Sequence, residues 1–234
     1  MPKLNLKNPE VEKYITDVAC YWIKECDIDG WRLDVGDEIS HFFWKNFRKA
    51  VKAVKKDLLI IGEIWHYAGD FLEGDEWDTV MNYPFYLNLI DLLADEKITV
   101  SQFVQNLGYL KGRLNKNCYP LMWNLIDSHD TARFLHLCND NKKKQHLAAA
   151  FQLLLPGMPM IYYGDEYAMP GANDPDCRRG MYWDEEYQDK EMYEWYKRLI
   201  QVRKSHACIV EGELAGSVTE DEEGTVVLIR KNGE

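Results

Sequence analysis

The apolar residues of this chain follow two alternating spacings. In some segments they recur every three or four positions, as in amphipathic helices; between these lie short continuous apolar runs, which are typical of strands buried on both faces. The pattern predicts helices at residues 9–25, 39–56, from about 85, 99–114, 141–155 and 188–205. It predicts strands at residues 31–35, 58–61, 79–82, 121–126 and 158–163. Strands that alternate with helices indicate an α/β fold with a parallel sheet.

The last part of the chain has a different pattern. Residues 207–214 and 225–230 are predicted to be strands, with the acidic segment 220–224 as the turn between them. Two strands joined by a short turn form an antiparallel hairpin. The pattern therefore predicts an α/β region at residues 1–206 and the beginning of a small β domain at residues 207–234.

Composition and charge narrow the classes of partner. The formal net charge of -11 argues against nucleic acid, because nucleic-acid-binding proteins present basic patches. The longest apolar stretch, residues 148–163, is too short and too interrupted by proline and glycine to cross a membrane. The start of the chain lacks the regions of a signal peptide, and the six cysteines form no CxxC pair or zinc-binding spacing. We expect a cytoplasmic protein with free thiols and no membrane partner.

Three acidic residues lie where predicted strands end. Asp34 ends the first strand, Glu63 follows the second, and Asp130 lies just beyond the fourth. In parallel α/β folds, binding and catalytic groups gather at the carboxyl ends of the strands. A charged group at the end of a buried strand is costly to desolvate, so a random acid is disfavoured there. We therefore expect the three acids to meet in one cleft; the alternative is three separate acids in solvated loops.

The neighbours of two of these acids favour different charge states. Residues two apart on a strand share a face, so Arg32 is expected beside Asp34, where its positive charge keeps the carboxylate ionised. Glu63 has apolar neighbours in the sequence, and these favour the neutral carboxyl group that a general acid needs. Retaining glycoside hydrolysis requires one carboxyl group of each kind. A purely structural ion pair between Arg32 and Asp34 is the alternative.

Three short segments carry a resemblance to a known family. In order and spacing they resemble three characteristic regions of the α-amylase family of glycoside hydrolases: residues 30–34 (GWRLD), 62–66 (GEIWH) and 127–131 (DSHDT). Residues 1–5 (MPKLN) resemble an extra motif of the subgroup of neopullulanase, cyclomaltodextrinase and maltogenic amylase. Residues 80–84 and 156–166 are similar to later barrel strands of that subgroup. The resemblance implies that residues 1–206 form part of a (β/α)8 TIM barrel, namely its strands four to eight.

The resemblance also implies a role for each matching residue. Asp34 would be the nucleophile, Glu63 the acid/base and Asp130 the transition-state stabiliser. The residues that would bind substrate are Arg32, Glu38, Trp65, His129, Asp174 and Arg178. The implied reaction is hydrolysis of α-1,4-glucosidic bonds in maltodextrins, cyclodextrins or pullulan, with retention of anomeric configuration. From its residues alone, the segment that contains Asp174 and Arg178 is a polar loop with an internal ion pair.

Two features depart from the pattern of the subgroup. After Asp34 the subgroup usually shows Ala-Asn-Glu, whereas this chain has Gly36-Asp37-Glu38, which leaves the acceptor preference open. The family's first characteristic region, the first three barrel strands and an amino-terminal domain have no counterpart. We therefore expect a fragment with little activity by itself, which self-associates through open strand edges.

Cofactors and other function classes complete the expectations. No organic cofactor and no metal site are implied, although some relatives bind calcium, through ligands expected largely in the part without a counterpart. One alternative is a metal-dependent barrel lyase in which Asp34, Glu63 and Asp130 hold magnesium. It would need a catalytic lysine or histidine on a strand, and the predicted strands offer neither. The other is a non-catalytic amylase-like scaffold, although such relatives typically lose the acids that this chain keeps.

Overall fold

The structure, a computed structural model, describes residues 4–233, and its contacts divide the chain into two units, Met1–Met81 and Asn82–Glu234. The resemblance at residues 1–5 therefore lies mostly outside the described residues.

The first unit is a small parallel α/β layer. Its elements are α1 (Pro9–Cys26), β1 (Gly30–Leu33), α2 (His41–Val54), β2 (Leu59–Gly62) and β3 (Thr79–Val80). The strands pair in parallel in the order β1-β2-β3, as the alternation of strands and helices predicts. The helices begin where capping residues stand: the Asn8 side chain accepts a hydrogen bond from Glu10 N, and that of Ser40 accepts one from Phe43 N.

The register of β1 and β2 decides which side chains meet at the end of this sheet. Leu33 is opposite Gly62, so the residues that follow them, Asp34 and Glu63, leave the sheet side by side. Glu63 N donates to Leu33 O at 2.9 Å, which continues the pairing by one step. The carboxyl end of the two strands therefore carries both acids.

The second unit contains the remaining elements. These are α3 (Tyr83–Leu89), which continues as a π-helical turn (Ile90–Ala94), α4 (Val100–Arg113), β4 (Trp123–Asn124), α5 (Phe134–Leu137), α6 (Lys142–Leu154), β5 (Met158–Pro159), α7 (Lys190–Ser205), α8 (Ala207–Val210), β6 (Glu213–Glu220) and β7 (Thr225–Lys231). Strands β4 and β5 pair in parallel, and β6 and β7 form an antiparallel hairpin. Phe85, Phe103, Phe134 and Phe151 lie together in one core cluster of this unit.

Two predicted strands are much shorter than the apolar runs that suggested them. Residues 121–126 and 158–163 contain only the two-residue strands β4 and β5. Just beyond β5, the Gln152 side chain donates to Met160 O at 2.7 Å. Leu125 and Ile126 are fully buried but do not belong to a strand. A continuous apolar run in the sequence indicates that a segment is buried, and it does not show whether the segment is hydrogen-bonded as a strand.

The carboxyl-terminal hairpin begins later than the pattern predicts. Residues 207–210 form the short helix α8, and β6 starts only at Glu213. The prediction of a strand from residue 207 is wrong there because the backbone forms a helical turn, closed by Glu211 N donating to Ala207 O at 2.8 Å. The hairpin packs on α4, since Ser101 Oγ lies 2.7 Å from Thr219 Oγ1.

Candidate active site

Arg32 joins the two acids of the first unit. Its Nη1 donates a short hydrogen bond to Asp34 Oδ1, and its Nη2 lies 2.9 Å from Glu63 Oε1. The second contact is an ion pair by distance, but its geometry is not that of a hydrogen bond. The predicted contact between Arg32 and Asp34 is confirmed, and the same guanidinium reaches Glu63.

Glu63 is buried, as its sequence neighbours suggest, but its surroundings are not purely apolar. The residue is only 3% exposed. Besides Arg32, its carboxylate accepts hydrogen bonds from Val35 N at 2.9 Å and from Trp65 Nε1 at 3.4 Å. The turn after β1 therefore folds back over Glu63 and supplies the Val35 N–H, a donor that the local sequence of Glu63 does not reveal.

The turn after Asp34 is strained. Val35 adopts φ 45° and ψ 47°, in the left-handed region that β-branched residues rarely adopt. Such a conformation costs about 1–3 kcal/mol and persists only where the surroundings fix it. The strained residue follows Asp34 directly, and its N–H donates to the Glu63 carboxylate.

The other predicted residues of this unit lie on the same two loops. Glu38 is an exposed residue of the 3-10 turn Gly36–Glu38 that follows β1. Trp65 is partly exposed next to Glu63. A contact that the sequence reasoning missed joins the loops, because His66 Nε2 lies 3.1 Å from Asp37 Oδ2. Asp37 and His66 therefore tie together the two loops that carry Glu38 and Trp65.

Asp130 lies in the second unit, within a chain of charged contacts. Its carboxylate lies 3.0 Å from Arg178 Nη2 and 3.0 Å from His129 Nε2. Arg178 also contacts Asp174, with Nε 2.9 Å from Oδ1. The internal ion pair expected in this loop is present, and Arg178 extends it to Asp130. The four predicted residues of this unit form one cluster.

Arg133, which the sequence reasoning missed, organises the loops around that cluster. It is 1% exposed and lies three positions after Asp130. Its side chain donates to Tyr163 O at 2.6 Å and to Cys177 O at 3.2 Å, and its backbone N–H donates to Gly171 O. The only hint in the sequence is a cation three residues after an acid, and that pattern is too common to be informative.

A buried pair of carboxyl groups adjoins Arg133. Asp127 accepts a hydrogen bond from Phe134 N at 2.7 Å, and Asp165 accepts one from Arg133 Nη1 at 3.2 Å. Burial raises the pKa of Asp127 to about 6; burial and the charge of Asp127 raise the pKa of Asp165 well above its ordinary value. The other titratable groups around them are Tyr86, Arg133, Glu166 and Tyr196.

This pair predicts a pH-dependent contribution to stability. The folded state holds the proton on Asp127 more tightly than the unfolded chain, so the stabilisation is complete below pH 3.8 and is lost as the pH rises through about 6. A pKa difference of about two units corresponds to about 3 kcal/mol. Asp127→Asn, which keeps an acceptor for Phe134 N–H, should remove this contribution. Urea unfolding of both proteins at pH 4 and pH 8 measures it.

The control for this experiment is Asp57→Asn, which neutralises an exposed aspartate. The stability difference between wild type and Asp57→Asn should be the same at both pH values. An equally constant difference for Asp127→Asn would show that the buried pair does not titrate in this range.

Residues 1–190 match the Alpha-amylase family, in the part described as "Alpha amylase, catalytic domain". The chain belongs to this family, and its parallel strands with acids at their carboxyl ends are part of the catalytic (β/α)8 barrel. The family resemblance seen in the sequence is thereby confirmed.

Named relatives cover the whole chain. It is 47% identical over 233 residues to a cyclomaltodextrinase of Geobacillus thermopakistaniensis, covering 100% of this chain and 40% of the relative. It is 45% identical over 231 residues to an intracellular maltogenic amylase of Bacillus subtilis, covering 98% and 39%. A solved structure of a cyclomaltodextrinase matches with a TM-score of 0.96 at 41% identity, covering 99% of this chain and 40% of that one. The chain thus spans about 40% of the length of these relatives.

Three further findings concern membranes, metals and thiols. None of the helices within residues 4–233 has the length and apolar character needed to cross a membrane. The same residues contain no group of three or more His, Cys, Asp or Glu side chains that could hold a metal ion. All six cysteines lie within the described part and are free thiols.

Proposed function

We propose that this chain is the part of a retaining α-glucan hydrolase that carries its catalytic acids. The observation that supports this most strongly is the arrangement at the ends of β1 and β2. There Arg32 contacts both Asp34 and Glu63, on adjacent parallel strands. Retaining glycosidases place their two carboxyl groups about 5–5.5 Å apart, and one bridging guanidinium is compatible with such a separation.

The proposed reaction uses these groups in two steps. Asp34 attacks the anomeric carbon, and the glycosidic bond breaks while Glu63 gives its proton to the departing oxygen. Glu63 then takes a proton from water, whose oxygen displaces Asp34 from the sugar. The exposure of the two side chains fits these roles, since that of Asp34 is 76% exposed and that of Glu63 is 4% exposed.

The cluster of the second unit would bind the sugar next to the cleaved bond. In this proposal Asp130 stabilises positive charge on the sugar ring, and His129 donates to its hydroxyl groups. Arg178 and Asp174 hold a neighbouring sugar. Trp65 and Glu38 contact the sugar on the leaving-group side. The substrates are maltodextrins, cyclodextrins or pullulan, the class that the names of the relatives suggest.

The stereochemistry of the product tests this proposal. The natural full-length protein that contains this chain should hydrolyse maltotriose or a cyclodextrin, and proton NMR should detect the α-anomer of the new reducing end first. Glu63→Gln is the control, because it leaves Asp34 in place and removes the proton donor. A β-anomer as the first product, or no hydrolysis of either maltotriose or the cyclodextrin, would contradict the proposal.

Arg178 provides a separate prediction about binding. Hydrogen bonds to charged groups contribute about 1.5–3 kcal/mol, so Arg178→Ala should raise KM for maltotriose about 10- to 100-fold. Because Arg178 also contacts Asp130, we expect a smaller fall in kcat as well. Arg178→Lys keeps the positive charge, so its KM should lie between that of wild type and that of Arg178→Ala. If KM and kcat are both unchanged in Arg178→Ala, this loop has only a structural role.

Domain organisation and location complete the proposal. We place the barrel part at residues 1–206 and the beginning of a β domain at residues 207–234, a division supported by the antiparallel pairing of β6 and β7. A cytoplasmic location is supported by the free cysteines and by the name of the Bacillus subtilis relative.

A further inference from the structure

Trp77 contacts the backbone beside both acids of the first unit. Its side chain is fully buried in the loop before β3. A Cβ atom added to Gly62, the residue before Glu63, would lie 2.3 Å from Trp77 Cε3. A Cβ atom added to Gly36, two residues after Asp34, would lie 2.7 Å from Trp77 Cζ2. One indole ring therefore packs directly on the two glycines that adjoin the acids.

Two other aromatic rings and an ion pair hold the Trp77 ring in position. Phe71 stacks on it with ring centroids 4.1 Å apart and planes 6° apart. Trp44, on α2, meets it edge-on at 5.9 Å, and Trp44 Nε1 donates to Gly36 O at 2.8 Å. The next residue, Asp78, is held by Arg48 at 2.7 Å. Helix α2 therefore fixes both the ring and one of the turns on which it packs.

The turns that the ring contacts are also bound to each other. Gly36 N donates to Glu63 O at 3.1 Å, and Val35 N donates to the Glu63 carboxylate. Val35, which makes the second of these hydrogen bonds, has the strained left-handed conformation. A strained backbone of this kind persists only where the surrounding packing fixes it. The Trp77 ring is the nearest side chain to both glycines and supplies that packing.

The indole nitrogen of Trp77 makes no hydrogen bond within the described part of the chain that would explain a tryptophan at this position. Trp77 Nε1 is buried and has no hydrogen-bond partner among residues 4–233. A buried donor without a partner is costly, and a smaller apolar side chain would avoid the cost. A full indole ring at this position is therefore better explained by the surface that it offers to the glycines than by its polar group.

We propose that Trp77 is a positioning residue that sets the separation of the Asp34 and Glu63 carboxylates by packing on Gly36 and Gly62. This inference rests on the proposed function for the roles of the two acids. Trp77 is a positioning residue and not a catalytic one, because its ring packs on the backbone of Gly36 and Gly62. Trp77 would affect the reaction through the position of the backbone that carries the two acids. An error of about 1 Å in the position of reacting groups can lower the reaction rate about 100-fold.

The test uses Trp77→Leu in the natural full-length protein. We expect kcat for maltotriose to fall about 100-fold while KM changes less than about threefold, because the ring positions the reacting groups and does not bind the sugar. Trp77→Phe keeps a flat ring and should retain kcat within about tenfold of wild type. It also covers the case in which Trp77→Leu does not fold.

A second substitution distinguishes positioning from general stability. Gly62→Ala alone has no room for its methyl group, but in the Trp77→Leu protein that methyl group refills part of the space left by the ring. We expect the double variant to recover about tenfold in kcat over Trp77→Leu, a non-additive result of the kind that contacting residues give. Phe103→Leu is the matched control, since it removes a fully buried ring of α4 that belongs to the second unit and is not among the atoms nearest either glycine.

Crystal structures of wild type and Trp77→Leu separate this inference from the proposed function. If wild type hydrolyses no α-glucan, the proposed function fails, and the carboxylate separation in the two structures still tests the positioning role. An unchanged separation overturns the inference. So does a Trp77→Leu protein whose kcat stays within threefold of wild type, or falls only as far as that of Phe103→Leu at the same loss of Tm.

Discussion

Asp34→Asn in the natural full-length protein is expected to reduce turnover of maltotriose by at least about a thousandfold, roughly 4 kcal/mol in activation free energy. The amide keeps the shape of the side chain but cannot form the covalent bond to the sugar. Little stability should be lost, because the Asp34 side chain is 76% exposed and exposed ion pairs contribute at most about 1 kcal/mol. Initial rates and thermal unfolding measure the two effects.

The matched control is Asp17→Asn. Asp17 is another exposed aspartate of the first unit, paired with Lys13 on α1. This variant removes the same charge from the same kind of contact and should leave turnover unchanged. If Asp34→Asn retains more than about a tenth of the activity, roughly 1.4 kcal/mol, Asp34 is not the nucleophile.

Arg133→Met is expected to lower the free energy of unfolding by about 3–5 kcal/mol, the usual range when one partner of a buried ion pair is removed. The guanidinium lies beside Asp165 and donates to the carbonyl oxygens of Tyr163 and Cys177, so its loss leaves several buried groups without a donor. In a domain of this size the Tm should fall by about 6–20 °C.

The pH dependence of this loss gives a second readout. The positive charge of Arg133 lowers the pKa of Asp127 and of Asp165, so its removal raises both pKa values further. Stability from an acid with a raised pKa is present at low pH and is lost as the pH rises. The deficit of Arg133→Met should therefore be larger at pH 8 than at pH 5.

Urea unfolding at the two pH values measures this deficit. Arg198→Met, which removes an exposed arginine from α7, is the control and should change stability little at either pH. A deficit for Arg133→Met that is equally small would mean that Arg133 does not hold the loops of the second unit together.

The sequence by itself determined the order of elements and the positions of the two acids of the first unit. Apolar periodicity placed α1 and α2 within two residues of their observed ends, because it reports directly which face of a helix is buried. The spacing of Arg32 and Asp34 on one strand predicted their contact, because alternate residues of a strand share a face. The short family segments supplied the roles of the acids, which periodicity cannot provide.

Only the tertiary structure decided what surrounds those acids. The ion-pair partner of Glu63 is Arg32, 31 positions away in the chain, and Val35, which donates to its carboxylate, is 28 positions away; no local pattern links them to Glu63. The packing of Trp77 on Gly36 and Gly62, and of Arg133 among loops 30 or more residues distant, depends in the same way on long-range contacts. Burial and hydrogen bonding at such sites are set by residues that the fold brings together, whereas periodicity along the chain reports only which side of one element is buried.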